Sequence, residues 1–156
     1  MVVVADTSPI NYLVLIEQIQ VLPHLYARVA IPAAVLAELT HPEAPDPVRR
    51  WAEAPPAWLE VVRARHVAEM AHLHFSESEA IALAAELHAD ALLIDDRAGR
   101  CEAMRRGLRV AGTLSVLDEA DANSLLNFDE AVERLKRTSF RVAPAVLAEI
   151  RAKRLR

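Results

Sequence analysis

Short strand-like runs at residues 2–5, 28–31 and 91–94 alternate with longer stretches of helical periodicity, and two of those runs lead directly into aspartate. This alternation strongly limits the possible folds. Strands separated by helix-length segments pair in parallel through right-handed crossovers, because each crossover helix must pack back onto the sheet. With 53% hydrophobic and only 4% aromatic residues, the chain suits helices packed on both faces of a buried sheet better than a half-solvated sandwich. The expected class is α/β, a three-layer α/β/α arrangement around a central parallel sheet of four to five strands. Residues 1–156 are expected to form a single domain with a C-terminal helix at about 144–153.

The first run leads into Asp6-Thr7-Ser8-Pro9, where Ser8 suits a helix cap and Pro9 a first turn. The helix is predicted from Ile10 to about Ile19, with Leu13, Ile16 and Ile19 on one stripe. A strand at 28–31, stopped by Pro32, precedes a helix at 33–39. Residues 41–47 read as a surface loop, Ala54-Pro55-Pro56 as the end of a short helix, and 58–62 as an edge strand. Ser76-Glu77-Ser78-Glu79 opens a helix running to about His88, with Ser76 and Glu79 matching a capping box. The strand at 91–94 is followed by a helix at 97–106, a short strand around 109–111, and helices at 114–122, 129–136 and 144–152.

Cys101 is the single cysteine, so no internal disulfide forms. No apolar stretch approaches the roughly 20 residues of a membrane span. A soluble protein of the reducing cytoplasm is expected. The formal charge of −4 argues against a general polyanion binder, although a local cluster of acids gives that sign by itself. The isolated cysteine and the absence of a matching partner pair for His72 and His74 give zinc little support, and Gly99, Gly107 and Gly112 form no phosphate-binding fingerprint. A phosphatase with its nucleophile at Asp6 would need a second aspartate where Ser8 stands. A phosphoryl-accepting receiver domain would carry its paired acids after the first strand instead of after 91–94.

Ligands of open parallel sheets bind outside the carboxyl ends of the strands. If the first strand and the strand at 91–94 are neighbours, Asp6, Asp95 and Asp96 converge there. Carboxylates so placed raise one another's pKa, and a hard divalent cation, Mg²⁺ or Mn²⁺, relieves the conflict. Each acid also has a local reading. Asp6, Asp95 and Asp96 suit helix caps, the capping box would occupy Glu79, and Glu38 has a counterpart in Glu149, which follows no strand.

Order and spacing together give more. The segments Val-Val-Ala-Asp6-Thr7-Ser8-Pro9-Ile-Asn11, Pro32-Ala-Ala-Val-Leu-Ala-Glu38-Leu, Ser-Glu77-Ser-Glu79-Ala-Ile-Ala-Leu-Ala, Leu-Leu-Ile-Asp95-Asp96-Arg97 and Gly112-Thr-Leu resemble those of PIN-domain ribonucleases, in particular the small prokaryotic branch related to VapC toxins. The resemblance implies a PIN-like fold whose acidic pocket binds one or two Mg²⁺ or Mn²⁺ ions and cleaves single-stranded RNA. It places Asp6, Glu38 and Glu79 as catalytic metal-site acids, with Asp96 or Asp95 as the fourth and register favouring Asp96. Thr7, Ser8, Asn11 and Glu77 would support the site. It also implies a small antitoxin protein that occludes the pocket, alongside the reading of a catalytically inactive PIN-like module that binds a partner.

RNA approaching such a pocket needs cations at its rim. Arg97 and Arg100, followed by Arg105, Arg106 and Arg109, are candidates for phosphate contacts, as is the basic tail Arg151-Ala-Lys153-Arg154-Leu-Arg156. The apolar stretch from Leu13 to Ile19 and the Ala-rich helix at 33–39 are the surfaces on which a homodimer is conceivable.

Overall fold

In the computed structural model, which describes residues 1–155, five parallel strands form one sheet. They are β1 (Val2–Ala5), β2 (Arg28–Pro32), β3 (Leu59–Val62), β4 (Ala91–Leu93) and β5 (Val110–Ala111), in the order β3-β2-β1-β4-β5. Around them pack α1 (Thr7–Leu15), α2 (Val21–Leu25), α3 (Ala33–Leu39), α4 (Asp46–Glu53), α5 (Phe75–Glu86), α6 (Arg97–Arg105), α7 (Thr113–Ala122), α8 (Phe128–Lys136) and α9 (Pro144–Arg154).

The period of two along a strand separates the helical layers. Val3 and Ala5 of β1 face a core shared with Ile10 and Leu13 of α1, Val35 of α3, Leu117 of α7 and Val132 of α8. Val4, between them, faces the opposite core with Ala30, Leu92 and Ile94, covered by Ile81 and Ala84 of α5 and by Ala103 of α6. All three β1 residues are fully buried, as the central strand of a sheet covered on both faces must be. The expected three-layer parallel fold is therefore present. No helix among the described residues is long and apolar enough to cross a membrane.

The differences lie at helix ends. α1 begins at Thr7, with Asp6 at the cap position, so Ser8 lies inside the helix; its C-cap is Ile16, well short of Ile19. Glu17 then adopts a left-handed conformation, φ 60°, while the Gln18 amide donates to the Leu13 carbonyl and the Glu17 amide to the Val14 carbonyl. This is a Schellman closure with glutamate in the place usually held by glycine. The chain turns there, and residues 21–25 form the short α2, which the sequence reading missed. Nor is there a capping box at Ser76: α5 starts at Phe75 with His74 at its cap position, and no side chain caps it.

The sheet order also locates the crevice. From β1 the chain moves outward to β2 and β3, then returns through α5 to β4 on the other side of β1. The order reverses between β1 and β4, where helices leave the sheet in opposite directions and open the carboxyl end to ligands.

Candidate active site

A cleft of about 1070 Å³ opens at this reversal point. Asp6 stands at its base. Its amide donates to the Leu93 carbonyl at 2.9 Å, which extends the β1–β4 pairing one residue past β1 and fixes the aspartate beside the end of β4. The residue occupies the cap position of α1, yet its carboxylate makes no capping hydrogen bond, and the buried Oδ1 has no partner. Burial pushes the carboxyl up from 3.8 to about 6; the Thr7 amide opposes the shift, and Glu38, Asp95 and Asp96 add to it. An unpartnered buried carboxylate oxygen is costly unless a ligand completes it.

Glu38 reaches the cleft from the last turn of α3, where its Oε2 accepts a 2.6 Å hydrogen bond from the Thr7 hydroxyl. Thr7 thus orients a second acid, and Ser8 lines the cleft beside it. Asn11 does not line it.

Glu77 and Glu79 separate. They lie two positions apart on α5, and two positions on a helix turn side chains about 200° away from each other. Glu77, in the first turn, lines the cleft. Its carboxyl is pushed from 4.5 to about 7, first by burial, then by the charges of Asp96 and Asp6, by a hydrogen bond shared with Asp96 when protonated, and by Glu38. Glu79 points away and is 2% exposed; its Oε1 accepts from the Ala34 amide at 2.9 Å and its Oε2 from the Ala64 amide at 3.1 Å. The expectation of Glu79 as a metal-site acid is corrected here. Its carboxylate ties α5 to the first turn of α3 and to the segment after β3, and Glu77 stands among the cleft acids instead.

The two adjacent aspartates also divide. Asp95 uses both oxygens on Thr113, accepting from its amide at 2.8 Å and its hydroxyl at 2.7 Å, and so anchors the start of α7. Desolvation raises its pKa while the Thr113 bonds and Arg100 work in the other direction. Asp96 caps α6, its Oδ2 accepting from the Gly99 amide at 2.8 Å. Only one oxygen of Asp96 is engaged this way, and the residue lines the same cleft.

Of the expected cations, Arg97 and Arg100 line the cleft. Arg105 and Arg106 pair with Glu102 on α6, and Arg109 lies outside the cleft. The basic tail is held by its own chain: Arg151 pairs with Asp129, and Arg154 with Asp118 and Asp121 while stacking 4.5 Å from the Phe128 ring centre. Arg156 falls outside the described residues. The sequence reading missed the far wall, where Tyr12, Ser139, Phe140 and Arg141 line the cleft. Ser139, Phe140 and Arg141 lie between α8 and α9, more than a hundred residues from Asp6, and no local sequence signal ties them to it.

The donors are hard carboxylate oxygens, suited to Mg²⁺ or Mn²⁺. Among the described residues, no three acid, histidine or cysteine side chains converge closely enough to hold an ion by themselves. Magnesium keeps several waters and asks for only one or two carboxylates. The free Oδ1 of Asp6, in a cleft whose acids push up the Asp6 and Glu77 carboxyls, fits such an ion.

The family described as DUF3368, PIN domain, matches residues 2–154. The chain belongs to the PIN-domain family. PIN domains are in general metal-dependent nucleases. Among solved structures, a PilT N-terminus domain protein from the hyperthermophilic archaeon Sulfolobus solfataricus P2 is similar in fold, with a TM-score of 0.50 over 92% of this chain and 100% of that one at 15% identity. No curated protein matches the sequence. In this PIN domain the acids of the cleft come from the residue after β1, from α3 and α5, and from the turn after β4.

Proposed function

We propose that this PIN domain is an Mg²⁺- or Mn²⁺-dependent endoribonuclease that hydrolyses phosphodiesters of single-stranded RNA, acting as the toxin of a type II toxin–antitoxin pair. The observation that carries the reading is the buried, unpartnered Oδ1 of Asp6 inside a cluster formed with Glu38, Glu77 and Asp96. Asp6 and one neighbour in that cluster would hold the metal, with waters completing its shell and the remaining acids lining the cleft around it. The bound ion would supply an acidified water and neutralise phosphate charge during in-line displacement, leaving a 5′-phosphate and a 3′-hydroxyl.

The chain's own residues do the positioning. Thr7 holds Glu38, Asp95 holds the start of α7 through Thr113, and Arg97 and Arg100 draw the phosphate backbone toward a pocket that is otherwise acidic. With its raised pKa, Glu77 exchanges a proton near neutral pH and can orient the attacking water when it does not hold the ion. A small antitoxin protein would silence the enzyme by placing an arginine or lysine among the carboxylates.

The test is cleavage of a pool of unstructured and hairpin RNAs with Mn²⁺ or Mg²⁺, against EDTA and an Asp6→Asn control. Cleavage of the unstructured RNAs that requires metal and disappears in the variant is expected. A folded protein that leaves every RNA intact under these conditions would overturn the nuclease reading and favour a partner-binding module.

A further inference from the structure

The cleft is far larger than an ion and a phosphate require. Its far wall is built by the loop between α8 and α9, where Phe140 and Arg141 face the same cavity as the acids although they lie more than a hundred residues from Asp6. Phe140 is half-buried and held in place: its ring meets Tyr12 edge-on, with centroids 5.0 Å apart and planes at 78°, and the Tyr12 hydroxyl lies 2.8 Å from the Ser139 hydroxyl. The ring is partly buried against the core and is not stacked parallel on Tyr12. Arg141 is exposed and makes no ion pair or side-chain hydrogen bond among the described residues, unlike Arg151 and Arg154 further along. A fixed aromatic ring beside a free guanidinium, in a cleft that holds the acids together with Arg97 and Arg100, matches the needs of a single-stranded nucleotide, which offers an unpaired base to stack and a phosphate to neutralise.

We propose that Phe140 and Arg141 form a subsite for one nucleotide next to the scissile phosphate, with the base stacked on Phe140 and its phosphate paired with Arg141. The subsite rests on the RNA reading above and would favour single strands. A base held in a duplex is already stacked on its neighbours and cannot reach the ring. Tyr12 and Ser139 are positioning residues that hold the loop.

The test uses the full chain carrying Asp6→Asn, so that RNA survives, and measures binding of a fluorescent single-stranded oligoribonucleotide and of copies carrying one abasic site at successive positions. Phe140→Ala is expected to weaken binding roughly five- to a hundredfold, as loss of one base–aromatic stack does. Phe140→Trp should retain it, and Phe140→Leu, which keeps apolar packing on Tyr12, should behave like the alanine variant. One abasic position should weaken binding to the parent protein yet make no difference to Phe140→Ala. Arg141→Gln should flatten the salt dependence. If RNA binds and Phe140→Ala and Phe140→Leu bind it as tightly as the parent, the subsite is wrong and the nuclease reading is untouched. If the parent binds no RNA, both fall together.

Discussion

At the scale of single residues, Glu77 and Glu79 of α5 separate structure from chemistry. Glu79 satisfies two backbone amides, so Glu79→Ala should lower the unfolding free energy by roughly 2–5 kcal/mol, read by urea denaturation, because buried donors are left unpaired. Glu77→Gln removes a carboxyl pressed by its neighbours and should leave stability unchanged or higher while abolishing RNA cleavage. Stability that falls for Glu77→Gln and not for Glu79→Ala would reverse the assignment. The titration follows from the same crowding. Asp6 and Glu77 have folded pKa values of about 6 and about 7, above their ordinary 3.8 and 4.5, so the fold holds their protons more tightly than the unfolded chain does. Their contribution is fully present below those ordinary values and is lost as pH rises through about 6 and then about 7. In EDTA, denaturation midpoints measured at a series of pH values should fall across this window, and Asp6→Asn should remove the earlier part of the fall. An unchanged profile in Asp6→Asn would show that its carboxyl does not titrate there. The sequence reading set Glu79 among the metal-site acids and Glu77 in support, whereas the structure turns Glu77 into the cleft and Glu79 away from it; the phase of a helix buried against both β1 and β2 is hidden when small residues occupy nearly every other position.

At the scale of elements, the sequence reading placed most helix ends within a residue or two but ran α1 on to about Ile19, past its C-cap at Ile16. α1, α5 and α7 close with Glu17, His88 and Ser124 in left-handed conformations, and only α6 ends in a glycine, Gly107, so the usual punctuation is missing. Since a left-handed conformation costs a residue with a side chain about 1–2 kcal/mol, Glu17→Gly should raise stability by part of that amount, offset by the greater freedom of glycine in the unfolded chain. A clear loss of stability in thermal unfolding would mean that the Glu17 side chain contributes more than its backbone costs. The packing of α6 on β4 is the opposite case. A Cβ added to Gly99 would fall 2.6 Å from Cδ1 of the fully buried Ile94, so Gly99→Ala should cost about 1–3 kcal/mol in urea unfolding. Because the Gly99 amide also holds Asp96, the variant should weaken Mn²⁺ binding as well. Full stability in Gly99→Ala would mean that α6 is free to move off the sheet.

For the whole molecule, the alternation of strand and helix was enough to anticipate the parallel three-layer fold and the meeting of Asp6 with Asp95 and Asp96, since both follow from the β1–β4 neighbourhood. The far wall of the cleft was not legible, because Tyr12 and Phe140 meet only after α8 and α9 have packed on α7. The central claim is that the acidic cleft at the reversal point, with the unpartnered Asp6 in it, binds a divalent ion. Its most direct test is a Mn²⁺ titration of the purified protein followed by electron paramagnetic resonance, with Asp6→Asn and Glu77→Gln alongside. The wild-type protein should bind Mn²⁺ more tightly as pH rises and the acids lose their protons, and each substitution should weaken binding by roughly tenfold or more, the loss of one charged ligand. Mn²⁺ binding that is unchanged in Asp6→Asn, or absent from the folded wild-type protein at alkaline pH, would contradict the account.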